Sequence, residues 1–283
     1  MVHSSKEIDM AKKVAIVTGA SSGIGEASVR ELMRLGFTVY ACARRVDRMA
    51  ALADEGAKVL PMDVTDDSSM TAAVEQIQAD EGWVSVLVNN AGYGSYGALE
   101  DVPLSEARYQ FEVNVFGLAR LTQLVLPGMR AQHKGRVINV SSVGGKIWEP
   151  YGSWYHATKF AVEGLSDSLR VELKPFGIKV VVIEPGAIKT EWNKIARDNL
   201  VEVSGSTAYG AGARAYARGL AKADDGPISS GPDVVARAIG VAATARNPKT
   251  RYAVGGGARS ILAAKAVLPD RAFDTFITQA IKG

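Results

Sequence analysis

The apolar positions of this chain change period repeatedly along its length. "KVAIVTG" (Lys13 to Gly19) is a short run rich in β-branched residues, followed by glycines and by "EASVRELMRLG", whose apolar residues recur at helical spacing. The same alternation then predicts the strand "FTVYACA", a polar helix ending at Glu55, the strand "AKVLPMD", a helix from Asp66 to Glu81, and the strand "VSVLVNN". A long helix is predicted from about Ser105 to Gln132, then the strand "GRVINVSS" (Gly135 to Ser142), a second long helix from about Tyr151 to Lys174, and the strand "GIKVVVIEPG". With "TRYAVGG" (Thr250 to Gly256) the count is about seven strands. Strands that are apolar throughout must be covered on both sides. The succession therefore predicts an α/β fold, a doubly wound parallel sheet with helices on both faces.

No linker or repeat divides this pattern, so a single domain is expected over 13-283, after a polar, flexible N-terminal tail over 1-12. The stretch from Thr190 to Gly231 is rich in Gly, Ala and Ser and has no strand to pair with the sheet. Its length and position predict a substrate-lid insertion at about 190-231, built as a loop. The C-terminal "RSILAAKAVLPDRAFDTFITQAIKG" has helical apolar spacing. It reads as a helix pair facing the core, with cover over a pocket, a membrane surface or a partner left open.

Composition narrows the class. Hydrophobic residues make up 47% of the chain and charged residues 22%, ordinary values for a globular enzyme. The net charge of +3 arises from 33 basic and 30 acidic residues without a basic run, which argues against nucleic acid as a partner. Cys42, the single cysteine, cannot form an internal disulfide and falls in an apolar strand, where a small buried hydrophobe is its expected role. The N-terminal "MVHSSKEIDMAKK" lacks the apolar core of a secretory signal, and no later stretch reaches about 18 uninterrupted apolar residues. A cytoplasmic location without a transmembrane segment is expected.

Three local patterns carry chemistry. In "TGASSGIGEA", Gly19, Gly23 and Gly25 lie between a strand and a helix with the spacing G-x-x-x-G-x-G, a variant of the dinucleotide fingerprint. There, glycine allows a tight turn and close approach of the backbone to a pyrophosphate held at a helix N-terminus; a plain tight turn is the other reading. At the end of the second strand, "ACARR" places Ala43 where an acidic residue would accept a hydrogen bond from a free ribose hydroxyl, and Arg44 and Arg45 follow. Guanidinium groups suit a 2′-phosphate, so NADP(H) is preferred and NAD(H) remains possible; two solvated arginines would look the same. Third, Tyr155 and Lys159 stand four apart on a predicted helix and share a face. A phenol titrates near 10, and an adjacent ammonium together with an oxidised nicotinamide should lower it, giving a general acid for carbonyl reduction and a base for alcohol oxidation. His156 has suitable chemistry but points about 100° away from that face, so it is read as a bystander. His3 and His133 sit in a polar tail and a "QHKG" turn, no His/Cys/Asp/Glu group has zinc spacing, and no metal is expected.

Five motifs in order, covering nearly the whole chain, resemble those of the NAD(P)-dependent short-chain dehydrogenase/reductase family. "TGASSGIG" (Thr18 to Gly25) is similar to its cofactor loop, "NNAG" (Asn89 to Gly92) to the motif after its fourth strand, and "YHATK" (Tyr155 to Lys159) to its active-site helix. "PGAIKT" (Pro185 to Thr190) resembles the turn beside the nicotinamide, and Ser142 stands thirteen positions before Tyr155, the family's usual spacing. The resemblance implies a Rossmann-type fold and a catalytic tetrad of Asn114, Ser142, Tyr155 and Lys159. Ser142, rather than Ser141, would hydrogen-bond the substrate oxygen. Lys159 would bind the nicotinamide ribose, and Asn114 would hold a water for a proton relay; without the family, Asn114 reads as a polar residue that bends the long helix. Gly19, Ser21, Ser22, Gly23, Ile24 and Gly25 would meet the cofactor's phosphates, and Asp63 and Val64 its adenine. Asn89, Asn90, Ala91 and Gly92 would meet the adenosine side, and Pro185, Gly186, Ile188 and Thr190 the nicotinamide. Asp63 also suits a helix cap near Asp66, as Ser153 does at the start of the active-site helix.

Within the family, "RRVDRM", "WYHATKFAVEGLSDSLRVEL" and "NPKTRYAVGG" resemble the branch of 17β-hydroxysteroid and retinol dehydrogenase-like enzymes most. That implies hydride transfer to or from a secondary alcohol or ketone, on an apolar steroid-, retinoid- or lipid-like substrate. Val143, Gly144, Trp148, Tyr151, Tyr93, Tyr96 and Trp192 are candidates for lining its pocket, or for packing the core instead. A homodimer or homotetramer is implied by resemblance. The alternatives are a non-catalytic NADP(H)-binding sensor or scaffold, and a reductase of small polar carbonyl compounds.

Overall fold

In the computed structural model, which describes residues 13–282, β1 (Val14–Thr18) is buried along its whole length and its side chains alternate between two cores. Ala15 and Val17 pack on one side with Val29 and Leu32 of α1 (Gly23–Arg34), while Val14 and Ile16 face the other. Each face of a pleated strand takes every second residue, so an all-apolar strand must be buried twice. β2 (Thr38–Ala43) lies parallel beside β1, and a one-turn helix and the short α2 (Ala50–Asp54) lead on to the edge strand β3 (Lys58–Pro61). α3 (Asp67–Glu81) returns the chain to β4 (Val86–Asn89) on the opposite side of β1. With β5 (Gly135–Val140), β6 (Ile178–Pro185) and β7 (Arg251–Val254) the sheet has seven parallel strands in the order β3-β2-β1-β4-β5-β6-β7. Winding reverses between β1 and β4, which opens a crevice at the carboxyl ends of these strands. The tail expected over 1-12 lies outside the described residues.

Four expectations change. The long helix predicted from Ser105 to Gln132 is two helices, α4 (Leu104–Phe111) and α5 (Gly117–Ala131), joined by a π turn at Glu112–Phe116. That wider turn carries Asn114, whose bonds are described below. The second long helix, α6 (Ser153–Leu173), starts after Gly152, and Ser153 makes no capping bond. Asp66 caps α3 by accepting from the N–H groups of Ser68 (2.9 Å) and Ser69 (3.3 Å), whereas Asp63 accepts from Thr65 instead, so Asp63 is not the cap. The insertion at 190-231 is no loop: it folds into α7 (Glu191–Ser204) and α8 (Gly210–Asp225). Its small residues let the two helices approach closely, with Ala196 and Leu200 packed on Ala213, Tyr216 and Ala217.

On the α1 side, α9 (Asp233–Thr244) adds Val235 and Ile239 to the core. After β7, α10 (Ala258–Val267) and α11 (Asp270–Lys282) face inward, as expected for a core-packed pair. Phe273, fully buried, and Ile277 rest on Ile147, and the Trp148 indole N–H donates to Asp274 Oδ1 at 2.7 Å. Cys42 is fully buried, and burial pushes its thiol up to about 12, which suits a packing role. No helix among the described residues is long and apolar enough to cross a membrane.

Candidate active site

The turn after β1 exists because glycines permit it. Gly19 (φ +65°) and Gly23 (φ +56°) adopt left-handed conformations, and a Cβ on Gly25 would lie 2.2 Å from the Gly19 carbonyl oxygen. Thr18 and Asn90 bind this turn to the end of β4. The Thr18 hydroxyl oxygen accepts from the backbone N–H groups of Asn90 (3.0 Å) and Ala91 (2.9 Å), and the Asn90 amide donates to Thr18 O (2.8 Å). Sequence reasoning missed Thr18, although a hydroxyl at the last position of an otherwise apolar strand was a visible signal. Asn89 turns the other way: its amide donates to Asn139 (2.9 Å) and Thr122 (3.1 Å) in the interior, so it does not contribute its side chain to the cleft wall.

One continuous cleft of about 530 Å³ runs over this turn. At one end it is lined by Ser21, Ser22, Gly23, Ile24, Arg44, Arg45, Asp63 and Val64, and further on by Asn90, Ala91, Gly92, Pro185, Gly186, Ile188 and Thr190. Gly19 lines it too, while Gly25 lies beneath it. Arg44 donates to the Tyr109 hydroxyl at 2.9 Å and Arg45 to Ser21 Oγ at 3.3 Å. Neither guanidinium is paired with a carboxylate among the described residues.

At the other end, Ser142, Tyr155 and Lys159 face the same space. Ser142 ends the β5 segment in extended conformation, and its oxygen accepts from Gly144 N–H at 3.0 Å. Lys159 donates to Val140 O at 3.0 Å, and its ammonium lies 5.9 Å from the Tyr155 ring centroid. Burial pushes the Tyr155 phenol up to about 12, while a hydrogen bond from Ser142 favours the ionised form. Burial likewise lowers Lys159 to about 8, against the opposing charge of Glu163. The lowering of the phenol expected from the lysine therefore does not arise in the protein alone: desolvation dominates, and Tyr155 holds its proton. Asn114 is fully buried and spends its amide on the protein. It donates to Tyr93 O (2.7 Å) and Thr158 Oγ1 (2.9 Å) and accepts from Tyr93 N–H (2.7 Å), leaving only the second lone pair of Oδ1 for a water.

The pocket candidates separate. Tyr93, Tyr96, Val143, Gly144 and Trp192 line the cleft, and the Trp192 ring lies 5.1 Å from Tyr155 and 6.0 Å from Tyr96. Trp148 and Tyr151 do not line it. The former packs 5.3 Å from Phe273 on the outer side of its loop, and the latter, in a left-handed conformation, packs 5.6 Å from Tyr216. His156 is no bystander: its Nε2 accepts from Glu149 N–H at 3.0 Å. That lone pair fixes the proton on Nδ1, which donates to Gly144 O at 2.9 Å. The ring thus clamps the loop from Gly144 to Glu149 and has no nitrogen free for acid/base work. Glu149, also in the cleft wall, was missed because a single acidic residue in a loop carries no pattern.

Comparison with known proteins agrees with this geometry. The family model described as short chain dehydrogenase matches residues 13–200. A probable short-chain type dehydrogenase/reductase, VdlC, of Helicobacter pylori is 33% identical over 278 residues, covering 95% of this chain and 98% of that protein. An NADPH-dependent 3-dehydrocapnine reductase of Ornithobacterium rhinotracheale is 36% identical over 282 residues, covering 95% and 98%. The crystal structure of a short-chain dehydrogenase from Streptomyces avermitilis superposes with a TM-score of 0.79 at 34% identity, covering 95% of this chain and 96% of that one. A glycine turn at a strand switch point, a tyrosine and a lysine on the facing helix, and a match over most of the chain together make this protein a member of the short-chain dehydrogenase family, an oxidoreductase of alcohols and ketones.

Proposed function

We propose that this chain is an NADP(H)-dependent oxidoreductase acting on an apolar secondary alcohol or ketone, lipid-, steroid- or retinoid-like in character. The observation that carries the reading is a single cleft with Ser142, Tyr155 and Lys159 at one end and the glycine turn with two unpaired guanidiniums at the other. The residues fit the cofactor. The absence of side chains at Gly19 and Gly23 leaves backbone for a pyrophosphate, and Arg44 and Arg45 offer bidentate donors to a 2′-phosphate. A relative described as NADPH-dependent supports the same choice. When bound, NADPH supplies a hydride to the carbonyl carbon. Tyr155, neutral in the protein alone, gives its proton to the carbonyl oxygen, Ser142 donates a hydrogen bond to that oxygen as charge develops, and Lys159 holds the ribose. In the oxidative direction the proton returns to Tyr155.

The rings of Tyr96 and Trp192 beside Tyr155 support an apolar substrate and a place near the 17β-hydroxysteroid and retinol dehydrogenase-like branch. The helices α7 and α8, which carry Trp192 and Leu220 into the cleft wall, serve as its lid. Assembly into a homodimer or homotetramer belongs to the same reading, since Phe116 (55% exposed) and Phe160 (45%) stand on the outer side of the π turn and α6. The test is NADPH oxidation at 340 nm across a panel of apolar ketones. Turnover is expected, and Tyr155→Phe should lose it by about 10²- to 10⁴-fold while still binding NADPH. Tight NADPH binding without turnover of any carbonyl would instead favour a sensor.

A further inference from the structure

We propose that Glu149 seats an ammonium group carried by the substrate close to its reacting carbon, so that the enzyme takes amino ketones and amino alcohols. The inference rests on the oxidoreductase reading above and deepens it.

The carboxylates of the cleft wall are Asp63, Glu149, Glu191 and Asp224. Glu191 has Arg48 at 2.9 Å, Asp224 is paired with Arg197, and Asp63 holds Thr65 at the adenosine end. Among the described residues Glu149 has no cationic partner, yet it is held in place from two directions. The Tyr216 hydroxyl of α8 donates to its Oε2 at 3.1 Å, and its backbone N–H donates to His156 of α6 at 3.0 Å. One hydrogen bond from a phenol satisfies one oxygen and leaves the other for a ligand.

Its surroundings are those of a cation site. Tyr96, Tyr155 and Trp192 form a contiguous aromatic wall in the same part of the cleft, with ring centroids 5.1 to 6.0 Å apart. A carboxylate beside aromatic faces recognises an ammonium by charge and by the ring quadrupoles together. Without a cation, the half-buried carboxylate stands unpaired against an apolar surface, a costly arrangement. Its negative charge also reaches Tyr155 and Tyr96, where it disfavours the phenolates. A bound ammonium cancels that field at the group that must give up its proton, which ties recognition of the amine to the chemistry.

The test compares two substrates with NADP⁺ at neutral pH, followed at 340 nm: a vicinal amino alcohol, and the plain secondary alcohol of the same carbon chain. The expected result is a kcat/KM for the amino alcohol about 10- to 100-fold above that of the plain alcohol, the range of a charge-assisted hydrogen bond. In Glu149→Gln, which keeps the acceptor for Tyr216 and removes the charge, the ratio should fall to about one. Glu149→Asp, which retains the charge, should keep a clear preference, and NADPH fluorescence reports whether each variant is folded. Turnover of the plain alcohol without any preference for the amine, or a preference that survives Glu149→Gln, would overturn the assignment and leave the oxidoreductase reading standing. Turnover of neither alcohol, nor of ketones in reverse, would remove both.

Discussion

Lys159→Met should make the cofactor-free protein more stable while abolishing turnover. The lysine is nearly fully buried, and burial holds its ammonium down from 10.5 to about 8. At about 1.4 kcal/mol for each tenfold change in proton affinity, the folded state bears about 3 kcal/mol for keeping this charge. Methionine fills a similar volume without the charge, but it leaves Val140 O without its donor, which costs about 1 kcal/mol. The net gain at pH 7 is about 2 kcal/mol, on the order of 4 °C in Tm. The sign with pH follows from linkage. Below pH 8 the lysine is charged in both states, and the folded wild type bears the full cost. Between about 8 and 10.5 the unfolded chain holds more protons, so wild-type stability rises with pH relative to the variant. Urea unfolding without NADP(H), at pH 7 and near pH 10, measures this directly. A Met variant no more stable than wild type at pH 7, or one whose gain is the same at both pH values, refutes the reasoning.

Arg44→Ala should raise the KM for NADPH by about 10- to 100-fold, the loss of one charge-assisted phosphate contact, and change that for NADH little; steady-state kinetics with both cofactors decides it. Gly25→Ala places a methyl 2.2 Å from Gly19 O and 2.7 Å from the Asn90 amide, so NADPH binding should vanish and stability fall by about 1–3 kcal/mol, as titration and thermal melts would show. His156→Ala removes both bonds that clamp the loop from Gly144 to Glu149. The expected result is a higher KM for the alcohol with NADPH affinity unchanged, and an equal loss of both would argue against a local clamp.

What was legible in the sequence followed from regular spacing. The seven strands could be read because parallel strands are buried on both faces and stay apolar throughout, as β1 does. Ser142, Tyr155 and Lys159 could be read because their offsets are fixed by one strand, one loop and one helix. Interactions between distant segments were not legible. Tyr151 and Trp148 looked like pocket residues from their place before α6, but a left-handed backbone at Tyr151 and the packing of α11 on Trp148 direct both away. The composition of Thr190 to Gly231 suggested a loop because small residues have two uses, and only tertiary packing distinguishes helix contacts from flexible backbone. The elevated phenol of Tyr155 was missed because burial depends on the whole wall of the cleft, including a helix some forty residues away in the chain.

The π turn at Glu112–Phe116 has a consequence for length variation in this protein. A π turn holds one residue more than the α-helix would need over the same span. Deleting a single residue there would let α4 and α5 fuse into the continuous helix that the apolar spacing suggests, with a regular ladder of backbone bonds. It would also rotate everything on one side by about 100°. Asn114 would then leave Tyr93 and Thr158, and Gln110, which now accepts from Ser95 N–H, would lose its place on the loop after β4. The extra residue acts as a phase shift between two helical halves, each set to its own neighbours. A chain that mended this flaw would gain a better helix and lose the alignment of its active site.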